Sequence, residues 1–357
     1  MKIGIVTGGG DCPGLNAVIR AVAKTATKLG WETLGIIGGY EGLLPPQNFR
    51  LLDYKALDGL LVRGGTILGT ANRGRFSAKT GHGETRQLPK QLLDDTKAGL
   101  AQLGIEALVA VGGDGSLTIA HQMHEYGIPI VGVPKTIDND LAATTMTFGF
   151  DSAVACATDA LDRLHTTAES HNRVLVLEVM GRYAGWIALN TGTAGSADAI
   201  LIPEIPCDLS KVAAHIKQRA ERGRKFSIVV VAEGAKPIGG DVSVMEREVG
   251  RAERLGGIGE RVAQELEALT GQDTRVVVLG HLLRGGSPTT FDRLLSLRFG
   301  AAAVRALVEG QSNIMVALDP PMVRYVPLEQ ATRRMKTVPP DCDTILTARE
   351  LGISFGD

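Results

Sequence analysis

Aromatic residues are scarce in this chain, at 4% of 357 residues. The four cysteines (Cys12, Cys156, Cys207 and Cys342) are scattered, with no Cys-x-x-Cys among them. So few aromatics disfavour a broad stacking surface for bases or peptides. The cysteine spacing argues against a disulfide framework or a zinc site and fits reduced thiols in a cytoplasmic protein. Net charge is almost absent, at -1, so bulk electrostatics suggest no nucleic-acid or anionic-membrane partner. No apolar run is long enough to cross a bilayer, and the strand-like start Met1-Lys-Ile-Gly-Ile-Val6 has no signal-peptide pattern. No short-period repeat, low-complexity tract or Pro-rich linker divides the chain.

Glycine is plentiful, at 45 residues, and 44% hydrophobic with 22% charged residues is an ordinary globular balance. The length allows two domains and a sizeable core. Continuous Val/Ile/Leu runs at 3–6, 34–37, 107–111, 128–133, 174–179, 228–231 and 276–279 read as strands buried on both faces. Helical patterns at 15–29, 88–103, 117–126, 153–168, 211–223, 257–269 and 291–308 alternate with them. This predicts α/β architecture with mostly parallel sheets. Segments 76–87 and 234–256 read as polar surface loops.

Unusual residues follow several of the runs. They are Thr7-Gly-Gly-Gly-Asp-Cys-Pro-Gly14, Gly112-Gly-Asp-Gly-Ser116, Pro134-Lys-Thr-Ile-Asp-Asn-Asp140, Met180-Gly-Arg182, Glu233-Gly234 and Gly280-His-Leu-Leu-Arg-Gly-Gly-Ser287. In open α/β sheets ligands bind at the carboxyl ends of strands. Turn chemistry explains Gly and Asp there, but less well Arg182, Glu233, His281 and Arg284. The first glycine loop could bring N–H groups to phosphate, or could simply turn the chain. It fits neither the dinucleotide fingerprint nor the Walker pattern. In 112–116 the glycines allow close approach to a nucleotide, Ser116 could cap the next helix and Asp114 could hold Mg²⁺. In 134–140, Asp138 and Asp140 could serve a proton or a metal, or make an Asx turn. Arg63, Arg73 and Arg75 lie in a glycine-rich loop and could clamp phosphate or be solvated. Arg173 and Arg275 precede strands and look like surface residues. Cys12 has no base nearby in sequence to make it a nucleophile.

Taken in order, five of these motifs resemble 6-phosphofructokinase of the bacterial glycolytic type, from residue 3 to about residue 310. The resemblance implies two Rossmann-like three-layer domains, 1–149 plus 282–313 for the nucleotide and 150–281 plus 314–357 for the sugar phosphate, with the active site in the cleft between them. It implies phosphoryl transfer from ATP, with Mg²⁺, to the 1-hydroxyl of fructose 6-phosphate. Gly10, Gly113, Asp114, Gly115, Ser116 and a loop arginine, Arg73 or Arg75, would hold the nucleotide, with Asp114 on the metal. Asp138 would be the general base, and Thr136 and Arg182 would contact the phosphoryl group. Met180, Gly181 and Glu233 would hold the sugar, and His281 and Arg284 its 6-phosphate. Arg173 and Arg275 would reach that phosphate from a neighbouring subunit, which implies a homo-oligomer, usually a homotetramer. A phosphorylated effector could bind at Arg20, Lys24, Arg222 and Arg224, although His165 stands where the family usually has arginine.

Two positions bear on the donor. Family members using ATP usually have glycine where this chain has Lys135, and pyrophosphate users have lysine there. Pyrophosphate users also replace the residue matching Gly115 with aspartate, whose side chain obstructs the nucleotide pocket. Gly115 carries the greater weight for ATP, and the pyrophosphate-dependent enzyme is the alternative. A nucleotide kinase of the NAD or lipid type would share Gly-Gly-Asp-Gly but leaves His281, Arg284 and Met180–Arg182 without a purpose. A non-catalytic phosphosugar sensor would be expected to lose Asp138 or Arg182, and both are present.

Overall fold

A computed structural model of the chain describes residues 1–71, 74–77, 79–80, 84–246 and 254–357. The apolar runs form two sheets. The larger has seven strands in the order Met322–Pro327, Ile314–Asp319, Ile130–Pro134, Ala107–Gly112, Lys2–Thr7, Glu32–Ile36 and Phe49–Leu51. Its interior pairings are parallel, and the antiparallel pairs lie at its two edges. The smaller sheet is wholly parallel, in the order Thr274–Val278, Val174–Val179, Ser227–Ala232 and Ala199–Leu201.

Alternation along the strands assigns residues to layers. Val109 and Val111 face the same core as Ile3 and Ile5, whereas Leu108 and Ala110 face the opposite one. That first core is shared. It contains the helices Leu15–Lys28, Phe150–His171 and Thr290–Val308, and it also takes Leu175, Leu177, Ile228 and Val230 from the second sheet. The outer face of the first sheet is covered by Lys90–Leu103 and Asp114–Glu125, and that of the second by Leu209–Glu221 and Ile258–Thr270. Each large aliphatic side chain withdrawn from water in these layers contributes roughly 1.5–3 kcal/mol. Among the described residues no helix is long and apolar enough to cross a membrane.

The chain division expected from sequence needs one correction. Residues 314–327 were expected with the second domain, yet they form the hairpin Ile314–Asp319/Met322–Pro327 on the edge of the first sheet. Ile314 and Met315 pair in parallel with Val131 and Gly132, which fixes their place. The remaining tail turns the other way: Ser354 bridges to Ala199 of the second sheet.

In the first sheet, the helix after Lys2–Thr7 packs in the shared core and the helix after Ala107–Gly112 packs on the outer face. Their loops therefore diverge, opening a crevice at the strands' carboxyl ends. The second sheet repeats the device. Trp186–Ala194 follows Val174–Val179 on the inner side, and Ile258–Thr270 comes after Ser227–Ala232 on the outer side.

Candidate active site

The turn after Ile130–Pro134 lies in the first crevice and is held by its own hydrogen bonds. The Asp138 amide donates to Thr136 Oγ1 at 3.1 Å. Thr147 closes the loop, its hydroxyl donating to the Thr136 carbonyl at 2.7 Å and its amide to Asn139 Oδ1 at 3.1 Å. Asn139 has a left-handed backbone, φ 51°, a conformation that asparagine tolerates. It breaks the extended geometry in which Asp138 and Asp140 would share a face. Asp138 is 4% exposed, and its Oδ1 is buried with no hydrogen-bond partner. Burial pushes the Asp140 carboxyl up to about 6, and the charges of Asp138 and Asp114 push it the same way.

The two glycine loops lie beside this turn. Ser116 was expected to cap a helix. Instead the helix Asp114–Glu125 begins three residues earlier than such a cap would place it, with Gly113 at its N-cap and no side-chain cap. Glycine at 112 permits the early start, because a Cβ there would lie 2.3 Å from that of Ser116. The helix N-terminus thus keeps its amides for an anion. A Cβ on Gly115 would meet nothing within 4 Å, so the fold does not require glycine there, and its lack of a side chain leaves open space. Gly10 is tightly constrained: a Cβ there would lie 2.6 Å from Arg284 Nη1. That same guanidinium nitrogen donates to the Asp11 carbonyl at 3.1 Å. Lys135, 3% exposed, donates its ammonium to the Gly10 carbonyl. Burial lowers its proton affinity. Cys12, buried beneath the loop, has its thiol pushed up to about 12 by desolvation and is inert as a nucleophile.

The second sheet contributes Met180, Gly181, Arg182 and Glu233. Glu233, 9% exposed, accepts on Oε1 from the amides of Arg182 at 2.8 Å and Gly181 at 3.2 Å. Gly181 has φ 149° and a Cβ there would meet the Ala184 carbonyl at 2.5 Å. Arg182 is itself left-handed, φ 52°. Burial pushes the Glu233 carboxyl up to about 7; the Asp138 charge adds to this, and the two amides and Arg182 oppose it. Arg182 likewise acts on Asp140. Carboxylates after the first sheet and the Arg182 cation after the second therefore lie close enough to feel one another's charge.

Other expected residues fall elsewhere. Arg173 and Arg275 lie at the amino end of adjacent strands in the second sheet and share one carboxylate. Arg173 Nε meets Asp273 at 2.5 Å, and Arg275 pairs with the other oxygen. His281 is exposed in the short turn Gly280–Arg284. Arg73 lies outside the described residues, and its alternative, Arg75, is engaged by Glu41 at 2.9 Å. Among the effector candidates, Lys24 stacks over Tyr54 at 4.9 Å. Sequence reasoning passed over Lys336 and Trp186, both of which contact the neighbourhood of the turn.

Residues 2–307 match the family described as Phosphofructokinase. The ATP-dependent 6-phosphofructokinase of Chloroflexus aggregans is 54% identical over all of this chain and 98% of its own length. The pyrophosphate–fructose 6-phosphate 1-phosphotransferase of Streptomyces coelicolor is 47% identical, covering the whole of both chains. Among solved structures, Pichia pastoris phosphofructokinase in the T-state superposes with a TM-score of 0.81 at 32% identity, over 93% of this chain. This chain spans only about a third of that yeast chain's length, 35%. The pyrophosphate-dependent phosphofructokinase of Nitrosospira multiformis, 22% identical, has the same fold at a TM-score of 0.81 over 98% of this chain and 90% of its own. By its fold and by the span of these matches, the chain belongs to the phosphofructokinase family.

Proposed function

We propose that this chain is an ATP-dependent 6-phosphofructokinase, transferring the terminal phosphoryl group of ATP to the 1-hydroxyl of fructose 6-phosphate. The observation that carries the mechanism is Asp138, a carboxylate with a buried, unpartnered Oδ1 at the point where both sheets' carboxyl ends meet. A free acceptor there suits removal of the hydroxyl proton as the phosphoryl group transfers. Thr136 holds the amide of Asp138 and so sets the carboxylate's angle. Arg182 supplies positive charge from the opposite sheet, and Glu233 fixes the backbone that carries it. The uncapped N-terminus at Gly113–Ser116 and the amides around Gly10 suit nucleotide phosphates. Met180 and Gly181 would hold the sugar, and His281 and Arg284 would take its 6-phosphate.

Among the described residues no group of three or more His, Cys, Asp or Glu side chains could hold a metal ion by itself, so Mg²⁺ would depend on phosphate oxygens for most of its ligands. Asp114 would hold the ion, directly or through water, with phosphate oxygens as further ligands. When bound, the ion offsets phosphate charge.

Gly115 supports ATP as donor, because the space beside it is open. Lys135 is the feature that favours pyrophosphate. Its ammonium is buried on the Gly10 carbonyl, a position in which it braces the loop instead of filling the nucleotide space. The test is turnover of fructose 6-phosphate with ATP and with pyrophosphate, in the wild-type protein and in Lys135→Gly. ATP should support turnover in both, within about tenfold. Turnover on pyrophosphate alone, or collapse of ATP turnover in the variant, would reassign the donor.

The reading extends to a cytoplasmic homotetramer in glycolysis, with Arg173 and Arg275 reaching the 6-phosphate bound by an adjacent subunit. Arg20, Lys24, Arg222 and Arg224 are the candidates for an effector site.

A further inference from the structure

We propose that Lys336 is a positioning residue for phosphoryl transfer, holding the turn that carries Asp138 in register with the loop that carries Arg182. The proposal rests on the reading of Asp138 as the base.

Lys336 grips the turn at both ends. Its backbone amide donates to the Asp140 carbonyl at 2.8 Å. Its ammonium donates to Asn139 Oδ1 at 2.9 Å and to the carbonyls of Thr144 and Thr145, each at 3.0 Å. Three acceptors use all three ammonium protons. Asn139 directly follows Asp138 and carries the left-handed backbone that shapes the turn. The Met335 backbone adds a bridge to Leu141.

The same residue reaches the second sheet. The Trp186 indole donates to the Lys336 carbonyl at 3.0 Å, and the ammonium lies 5.7 Å from the centre of that ring. Trp186 opens the helix that begins four residues after Arg182. Glu204 reinforces the link two residues further on, accepting from the amides of Val338 at 2.8 Å and Gly185 at 3.0 Å. Residues 335–338 thus form a strap between two loops that the apolar core does not itself align. Phosphoryl transfer depends on such alignment, and small displacements are costly.

Burial pulls the Lys336 ammonium down to about 8, and the Asp140 charge opposes this. A neutral side chain at 336 would leave Asn139 held by the Thr147 amide alone and the carbonyls of Thr144 and Thr145 short of a donor, while the contacts proposed for fructose 6-phosphate and nucleotide would remain. The expected signature is therefore a loss of turnover without a loss of binding.

Lys336→Met is the test, with steady-state kinetics, thermal unfolding and assembly mass measured on the purified full chain. The expected result is a kcat lower by about 30–100-fold, with both KM values within about threefold. Lys336→Arg, which keeps charge and donors, should recover at least about tenfold of that loss. A kcat for Lys336→Met within about threefold of wild type would overturn the proposal, as would a loss that Lys336→Arg leaves unrescued. If Lys336→Met does not fold, Trp186→Phe decides. It removes only the indole donor, so a fall in kcat at unchanged KM supports the strap and an unchanged kcat overturns it. Asp138→Ala, assayed alongside, separates the two readings: retained turnover there would defeat the base assignment itself, whatever Lys336 does.

Discussion

The two ends of the second sheet hold arginine in opposite circumstances. At the carboxyl end, Arg182 sits on a backbone held by Glu233 and faces Asp138 and Asp140 from the first sheet. Its surroundings are completed by its own chain. At the amino end, Arg173 and Arg275 share Asp273, two cations on one carboxylate, at a partly exposed edge. The first arrangement is balanced and assembles reacting groups. The second carries surplus positive charge at the opposite end of the sheet, which suits the role proposed for it, binding an anion held by a neighbouring subunit. On that reading one sheet supplies chemistry at one end and recognition at the other.

Breaking the carboxyl end should have the largest effect. Asp138→Ala should lower kcat by about 10²–10⁴ with little change in either KM. Steady-state kinetics check this, and near-normal turnover would remove Asp138 from the chemistry. The amino end should answer differently. Arg275→Ala should raise the KM for fructose 6-phosphate about tenfold while kcat stays within about threefold, since a recognition cation is lost and no reacting group is touched. Should kcat fall and KM stay, the contrast between the two ends would vanish.

The smallest effect sharpens the contrast through pH. The Glu233 carboxyl lies near 7 in the folded chain against 4.5 ordinarily, chiefly through burial. The folded state therefore binds its proton more tightly. The associated stability is present below about 4.5 and is lost as pH rises through about 7. Glu233→Gln should flatten this slope, making the ligand-free chain more stable than wild type at pH 8 by an amount on the order of 1 kcal/mol. Urea unfolding at pH 5 and pH 8 measures it, and parallel slopes in the two proteins would refute the assignment.

Much of this was legible in the sequence because continuous apolar runs are hard to disguise. Residues 107–111 and 174–179 read as buried strands and are so. The loops that follow them lie at the carboxyl ends of their strands. The hairpin 314–327 was harder to read. Its outer strand alternates exposed and half-buried residues at a sheet edge, so it lacks the continuous run of an interior strand. Ser116 misled because a helix start was sought at the polar side chain, while the glycines before it let the helix begin earlier. Lys336 was illegible for another reason. In Arg333-Arg334-Met335-Lys336 it looks like part of a solvated basic run, and its partner Asn139 lies 197 residues away in sequence. The meeting of Arg173 and Arg275 on Asp273 was hidden by the same kind of distance, since Arg173 lies 100 residues from that carboxylate in sequence.

The apolar layer shared by the two sheets has a consequence for how the molecule comes apart. The helices Phe150–His171 and Thr290–Val308 cross in it, and the buried Asp292 accepts from both the amide and the hydroxyl of Ser152, at 2.8 and 2.6 Å. Peeling one sheet from the other would wet both their inner faces and strand that carboxylate. Each half would keep only its outer core layer. The halves are thus neighbours in architecture but are expected to melt as one cooperative unit, and proteolytic nicking in the loops should leave the pieces associated until the whole melts.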